Sequence, residues 1–289
     1  MKTNEKDDRL IPLTRIAFGF LAVLTIISGP LLYLYPGGTA QYWAWEVQPE
    51  MSAVWLGAGY TFGAIALLTL LFIGRFQKLL VALLAIWPFS GTMLFATLIH
   101  IDRFFVDRIV FWIWLMTYIV LPFAFPAIWL LNKKHAIPHQ GDELQFPKSS
   151  AYIAALISLG LFLLATILIF NPAVAASFWP WNLTPLMSRV IGGWILAWAA
   201  AALSLVFERR YLSYREFIPE AGLWLVLILI GGWRYSDQFD FSRPSAYIFF
   251  GALILLALSM FYLFFSFEGR YRKLYSERDR ERNQLLGQE

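Results

Sequence analysis

The side chains with the most chemical potential in this sequence lie in a short polar stretch, HIDRFFVDR. His100 and Asp102 stand two residues apart in it, and an imidazole beside a carboxylate could serve acid–base chemistry or one side of a metal site. The chain has three histidines and no cysteine, and it contains no GxSxG, HExxH or phosphate-loop motif. The pair alone therefore defines no catalytic site, and we predict no metal site.

Arg189 is a further candidate because it is a charged residue inside an apolar segment. It follows Pro185 by four residues, which places it about 6 Å along a helix that rises 1.5 Å per residue. A charge at that depth in an apolar helix marks a candidate functional site. The alternative is that its long side chain extends back to the surface.

Two arginines stand at corresponding places in two similar loops, HIDRFFVDR and YSDQFDFSR. Arg108 and Arg243 each precede a long apolar segment, where a positive charge opposes the helix dipole. Asp102 and Asp237 lie six residues upstream of them, and we expect each aspartate to pair with its arginine. The alternative interpretation is that these charged groups bind an anionic or zwitterionic lipid headgroup.

A tryptophan-rich phrase occurs twice, as YWAWEVQPEMSAVWLG and FWPWNLTPLMSRVIGG. It contributes Trp43 and Trp45 in the first copy, and Trp179 and Trp181 in the second. Tryptophan favours the headgroup level of membranes, so these residues are typical of anchoring and packing. The functional interpretation is an aromatic wall that binds a lipid, a pigment or another apolar ligand at the outer surface.

Composition indicates the elements that must position these residues. The chain is 59% hydrophobic and only 15% charged, whereas soluble domains carry about a quarter charged residues. A membrane-crossing helix needs about 20 apolar residues, and we count eight such segments. They are Ile16–Leu34, Val54–Ile73, Leu79–Ile99, Ile109–Leu131, Ala151–Phe170, Val190–Phe207, Phe217–Trp233 and Ser245–Phe267. The predicted fold class is therefore an all-α polytopic membrane protein with eight transmembrane helices.

The positive charges predict the orientation. With eight spans both termini share one side, and that side takes most of the 23 lysines and arginines. The exceptions are Arg103, Arg108, Arg189, Arg234 and Arg243. Positive residues near span ends stay cytoplasmic, so we expect both termini to lie in the cytoplasm. The expected location is an inner (plasma) membrane, as in bacteria.

The repeated phrase predicts a duplicated chain. At an offset of 136 residues, Trp43 meets Trp179, Pro49 meets Pro185 and Gly57 meets Gly193. Each half holds four spans, an even number, so the halves form a parallel tandem repeat of two four-helix units related by an axis along the membrane normal. The predicted organisation is a tail (1–12), repeat 1 (13–132), a linker (133–148), repeat 2 (149–268) and a charged C-terminal helix (269–289).

Two classes of function remain open on the sequence alone. The first is a non-enzymatic membrane protein that binds or passes an apolar or lipid-like molecule at its outer face, or packs as a subunit of a membrane complex. The second is a membrane enzyme that acts on a lipid or lipid-linked substrate at the outer face through His100, Asp102 and Arg189 or Arg234. Membrane lipids and other membrane subunits are the expected partners, nucleic acid is not, and the sequence assigns no cofactor.

Overall fold

The computed structural model of the chain describes residues 9–74, 79–132 and 143–286, and this part is helical apart from short connections. The predicted linker at 133–148 lies largely outside these residues. The long helices, numbered in chain order, are α1 (Pro12–Leu34), α2 (Glu50–Ile73), α3 (Leu79–Ile99), α4 (Ile109–Asn132), α5 (Lys148–Phe170), α6 (Pro185–Phe207), α7 (Phe217–Arg234) and α8 (Pro244–Leu286).

All eight predicted apolar segments form helices that are long and apolar enough to cross a membrane. The all-α prediction and the count of eight are therefore confirmed. The last helix is the longest, with 43 residues, because the charged sequence after Glu268 continues the helix of the apolar segment before it. Eight such helices are compatible with an integral membrane protein.

The second copy of the tryptophan phrase starts its helix as its sequence predicts. Pro185 occupies the first turn of α6, and the Thr184 hydroxyl accepts a hydrogen bond from the Met187 amide at 3.2 Å. In the first copy, Pro49 is the N-cap residue and α2 begins at Glu50, whose carboxylate suits the positive end of the helix.

The helices pack in two rows of four. One row has the order α1, α2, α7, α8, and the other has the order α5, α6, α3, α4, with each helix packed against the next. The rows touch directly where α2 meets α6. Each row therefore combines two helices from the first half of the chain with two from the second.

Glycines allow the closest approaches inside the rows. A Cβ atom on Gly57 of α2 would collide with the backbone of Tyr33 on α1. A Cβ atom on Gly192 of α6 would lie 2.8 Å from Ile169 Cγ1 on α5, which is too close for a real contact. Both glycines belong to the repeated tryptophan phrase, and small residues of this kind let helices approach closely.

The loops between α1 and α2, α3 and α4, α5 and α6, and α7 and α8 lie together at one end of the molecule, here called the tryptophan face. The Phe105 amide donates to the Ala44 carbonyl at 2.9 Å, and the Asp240 amide donates to the Pro180 carbonyl at 2.9 Å. Next to these bonds, single bridges pair Trp45 with Phe104 and Trp181 with Phe239. The opposite end, here called the terminal face, carries the start of α1 and the end of α4.

Candidate functional site

A cavity of about 190 Å³ lies between the two rows, on the side where α1 faces α4. It is bounded by α1 and α2 of one row, by α3, α4 and α6 of the other, and by Phe217 at the start of α7. Its lining is almost entirely apolar and contains no charged side chain. Smaller residues create the space, among them Ser28, Gly59, Gly63, Ala66, Ala82 and Ala85.

Six rings on the cavity wall form a connected group, the aromatic cluster, which consists of Trp43, Tyr60, Phe89, Trp114, Tyr118 and Trp194. Neighbouring ring centroids lie 4.5 Å apart for Trp114 and Tyr118 and for Phe89 and Trp194, and 6.0 Å apart for Tyr60 and Trp194. The Tyr60 and Tyr118 hydroxyls are 3.0 Å apart and buried, so they bond to each other across the two rows. Contacts of this kind fix ring positions and make the wall rigid.

The polar atoms around the cavity are satisfied without a ligand or lie among aromatic rings. The Thr25 hydroxyl donates to the Leu21 carbonyl at 2.9 Å, and the Thr117 hydroxyl donates to the Ile113 carbonyl at 2.7 Å. The buried indole N–H of Trp43 has no hydrogen-bond partner among the described residues, and its ring meets that of Trp114 edge-on at 75°. The buried indole N–H groups of Trp194 and Trp198 also lack a partner among the described residues, so the cavity offers an almost entirely apolar surface whose polar contacts are limited to a few uncharged groups.

The corresponding positions in the second half carry larger side chains. Ile195 stands where the first half has Gly59, and Leu161 stands where it has Thr25. On that side of the molecule Trp55 packs into an aromatic group, 5.3 Å from Trp224. The second half of the chain thus has larger side chains at positions that correspond to cavity-lining residues of the first half.

The four tryptophans of the repeated phrase are buried, between 1% and 5% exposed. They therefore pack inside the protein against other aromatic rings. Since they are buried, they do not anchor the protein at a membrane surface. Trp43 lines the cavity, whereas Trp45, Trp179 and Trp181 are not among its lining residues. Of the four tryptophans in the predicted aromatic wall, Trp43 is therefore the one that lies at the cavity.

His100 and Arg189 come together at the tryptophan face, where the ends of α3 and α6 meet. The Arg189 guanidinium donates to His100 Nε2 at 2.8 Å and to the Pro185 carbonyl at 3.1 Å. Burial, followed by the charge of Arg189, holds the pKa of His100 below its usual range, so the imidazole is neutral and can accept this bond. Neither residue lines the cavity.

Asp102 does not complete an enclosed site with His100 and Arg189. Its carboxylate lies 3.2 Å from the Arg103 guanidinium, and both side chains are about two-thirds or more exposed. The other arginine named for the enzyme hypothesis, Arg234, lies over the ring of Tyr235 at 5.2 Å. His100, Asp102 and Arg189 therefore do not form one enclosed site, because His100 contacts Arg189 while Asp102 lies at the exposed surface.

The predicted pairs Asp102–Arg108 and Asp237–Arg243 are wrong: neither forms in the described part of the chain. Arg108 donates instead to the Ala40 carbonyl at 2.7 Å, and Arg243 donates to the Ala176 carbonyl at 3.1 Å. Both carbonyls belong to the last turns of short helices, Thr39–Tyr42 and Pro172–Phe178, where carbonyl groups lack helical partners. Arg243 also pairs with Asp240 at 2.7 Å.

A buried group of charges at the terminal face has no counterpart among the predictions. Glu208 and Arg210 are 5% and 7% exposed, and Arg210 Nε donates to Glu208 Oε1 at 2.8 Å, with Glu143 at 3.6 Å. A second buried carboxylate, Glu268, accepts from Arg215 at 2.7 Å. The charge-rich run FERRYLSYREF is the sequence feature that indicates this buried group, because it places Glu208, Arg210 and Arg215 close together in the chain.

No known protein family, curated protein or solved structure matches this chain. Within residues 9–74, 79–132 and 143–286, no three histidine or carboxylate groups lie close enough to hold a metal ion. The fold and its cavity therefore define the class: an all-helical protein with eight helices of membrane-spanning length and an apolar internal site.

Proposed function

We propose that this chain is an integral membrane protein that binds an apolar or lipid-like molecule, with the apolar part of that molecule in the cavity between its two rows of helices. The observation that carries this proposal is the cavity itself, because about 190 Å³ of space is bounded by apolar and aromatic side chains. Protein interiors are close-packed, and voids of this size are few in a domain.

The outer surface of the helices supports insertion in a membrane. Large apolar side chains project from the helices at the ends of the rows, including Phe20 (60% exposed), Phe123 (74%), Leu156 (71%) and Phe265 (70%). A water-soluble protein rarely exposes contiguous apolar patches above a few hundred Å². Hydrocarbon is the solvent in which such a surface is stable.

We further propose the parallel repeat, with both termini in the cytoplasm. Matching hydrogen bonds at the two ends of the molecule support it. At the tryptophan face, the Arg108 bond to Ala40 is matched by the Arg243 bond to Ala176. At the terminal face, the Leu10 amide donates to the Gly74 carbonyl and the Phe146 amide donates to the Arg209 carbonyl, both at 2.8 Å. Leu10 and Phe146 stand at the same offset of 136 residues as the tryptophans.

Reporter fusions test the orientation directly. Fusions at Asn132 and at the C-terminus are expected to report cytoplasm, because the terminal face carries most of the positive charge. Fusions at Gly38 and Asp240, in the loops of the tryptophan face, are expected to report the opposite side. A C-terminus found outside the cytoplasm would contradict both the eight-span topology and the parallel repeat.

The cavity limits the chemistry of the ligand. A charged group would lose its hydration there without gaining a partner, because the lining contains no charge. For comparison, an apolar cavity of about 150 Å³ stays dry and binds benzene. The ligand therefore places a ring or a short hydrocarbon segment in the cavity.

Gly63→Leu is expected to abolish ligand binding by filling the cavity. A Cβ atom at Gly63 would lie 3.8 Å from Thr25 Cγ2, an ordinary contact, so the backbone accepts a side chain there. The remaining methyl groups of leucine would then occupy space next to cavity-lining Thr25. Native mass spectrometry of the protein purified in mild detergent is expected to show a bound apolar mass in the wild type and none in the variant.

Gly160→Leu is the matched control. Gly160 lies within α5, is exposed on the outside of the molecule, and has no heavy atom within 4 Å of an added Cβ. This variant is expected to retain the bound mass. A wild-type protein without any bound mass, after purification with added membrane lipid, would contradict the proposed function.

A membrane enzyme acting on a lipid or lipid-linked substrate at the tryptophan face is the second candidate. The 2.8 Å contact between Arg189 and His100 favours it, because it places a neutral imidazole beside a fixed positive charge. The same mass measurement separates the two candidates. A ligand that is lost in His100→Ala but retained in Gly63→Leu would move the functional site to the tryptophan face.

A further inference from the structure

We infer that the ligand enters the cavity sideways from the bilayer, between α1 and α4. The part of the ligand that enters is the hydrocarbon chain of a lipid, which is either uncharged or carries a headgroup. This inference rests on the proposed function and adds its route and its ligand class. The gap between α1 and α4 is here called the portal. It is defined by Leu24, Thr25 and Ser28 on α1 and by Ile113 and Thr117 on α4, all of which line the cavity.

The helices that flank the portal are joined at the terminal face. Asn132, the last residue of α4, is fully buried and bonds to two groups at the start of α1. Its side-chain oxygen accepts from the Ile11 amide at 3.2 Å, and its Nδ2 group donates to the Thr14 hydroxyl at 2.9 Å. The portal is therefore closed at this end.

The same helices are joined at the tryptophan face by the loops next to them. Arg108, just before α4, donates to the Ala40 carbonyl in the loop that follows α1. Beside it, the Phe105 amide donates to the Ala44 carbonyl. Between these two ends α1 and α4 belong to different rows and make few direct contacts, although Phe18 of α1 and Phe125 of α4 belong to one core cluster near the terminal face. The portal is thus an opening with two fixed ends.

The wall of the portal is apolar and reaches the outer surface. Ile113 is 41% exposed and also lines the cavity, so it stands at the rim. Thr25 and Thr117 bond to carbonyls of their own helices and offer no free hydroxyl donor to a ligand. The portal is therefore largely apolar and accepts hydrocarbon, and its residues carry no charged group that would select a headgroup.

The depth of the portal limits what can pass through it. Thr25 lies nine residues before Leu34, the last residue of α1, which is about 14 Å along a helix. A charged headgroup would remain at the membrane surface while the chain of the same lipid reaches this depth. The cavity holds only a ring or a short segment, so the rest of a long chain must lie in the portal. Isoprenoid and acyl chains share this chemistry.

Helix α4 contains the device that can widen the portal. Pro126 has no amide hydrogen, so the Pro122 carbonyl one turn earlier loses its helical partner. Trp87 of α3 replaces that partner, because its indole nitrogen donates to the Pro122 carbonyl at 3.0 Å. This bond holds α4 to α3 near Pro122 and Pro126. The portal residues Ile113 and Thr117 lie on the part of α4 that precedes these prolines, and the helix can bend where the two parts meet.

Cross-linking the portal tests the route. The chain has no cysteine, so Thr25→Cys and Thr117→Cys introduce the only thiols, which bismaleimides of graded length can join. The protein is placed in phosphatidylcholine vesicles with one of two photoreactive probes. One probe is a diazirine-bearing isoprenoid alcohol, and the other is a phosphatidylcholine with a diazirine at the end of one acyl chain.

The uncross-linked protein is expected to be labelled by at least one probe on peptides of the aromatic cluster, read by mass spectrometry. The probe that labels identifies the source of the chain, and cross-linking before addition of that probe is expected to abolish the labelling. The matched control pair is Leu161→Cys and Ala252→Cys, at the corresponding positions of α5 and α8, which do not line the cavity. Cross-linking this pair is expected to leave the labelling unchanged.

The outcomes separate the two proposals. Labelling of the aromatic cluster that persists after the portal is cross-linked would overturn lateral entry and leave the proposed function standing. No labelling of the aromatic cluster by either probe in the wild-type protein, which keeps Thr25 and Thr117, would overturn the proposed function as well.

Discussion

Replacing Trp181 with alanine is expected to lower the free energy of unfolding by about 3–5 kcal/mol, the cost of deleting a fully buried aromatic side chain. Trp181 is 1% exposed and packs 5.3 Å from Phe239 in its own half and 6.2 Å from Trp55 in the other. Its indole N–H also donates to the Ser52 hydroxyl at 3.0 Å. Unfolding by denaturant in a fixed detergent measures the change.

Phenylalanine at the two corresponding tryptophans provides the finer comparison. Trp45 is equally buried, but its indole N–H has no hydrogen-bond partner among the described residues. Trp181→Phe removes a hydrogen bond and Trp45→Phe does not, so the first should cost about 1 kcal/mol more. Equal losses for the two variants would show that the bond to Ser52 contributes nothing to the joining of the halves.

Replacing Glu208 with alanine is expected to destabilise the protein by about 3–5 kcal/mol, because it leaves a buried guanidinium without its main partner. The backbone amide and the guanidinium of Arg210 both donate to this carboxylate, and the remaining ion-pair partner of Arg210, Glu143, lies farther away at 3.6 Å. The shift in thermal midpoint in detergent reports the loss. Glu208→Gln keeps one acceptor and is expected to cost less.

Asp102→Ala is the control for an exposed ion pair. Asp102 and Arg103 are 67% and 72% exposed, so their pair should contribute about 0–1 kcal/mol. If Glu208→Ala proved no more costly than Asp102→Ala, the charges at the terminal face would be hydrated in the folded protein, which would contradict the burial of Glu208 and Arg210.

Hydropathy predicted the eight helices because a long uncharged window has few structural alternatives. Local chemistry also predicted where α6 begins, since Thr184 and Pro185 form a recognisable start. These features depend on residues near one another in the sequence. They required no knowledge of which helix packs against which.

The order of helices in the two rows was not predictable in the same way. In α2 and α6 almost every residue of the first two turns is buried, so their apolar pattern does not single out one packing face. The cavity was hidden for a related reason. Its lining comes from α2, which carries Gly59 and Gly63, and from α1, α3, α4 and α6, and only the assembled rows bring these helices together.

The arginine pairs failed as predictions because the true acceptors are backbone carbonyls. Every residue has a carbonyl, and no sequence pattern marks Ala40 or Ala176 as the one left without a helical partner. The aspartates were visible in the sequence and were therefore preferred. His100 and Arg189 were named separately, and their contact depends on the packing of α3 on α6, which the sequence does not specify.

The composition of the rows has a consequence for the order of events during synthesis. In its row α2 lies between α1 and α7, and the last residue of α7, Arg234, follows the end of α2 at Ile73 by about 160 residues. At a translation rate of about 5–20 residues per second, α2 is complete some 8–30 s before that neighbour. Throughout this interval the side of α2 that carries Ser52 and Trp55 lacks its final neighbours from the second half of the chain and must be covered by other molecules. The first half of the chain cannot reach its final packing until most of the second half has been made.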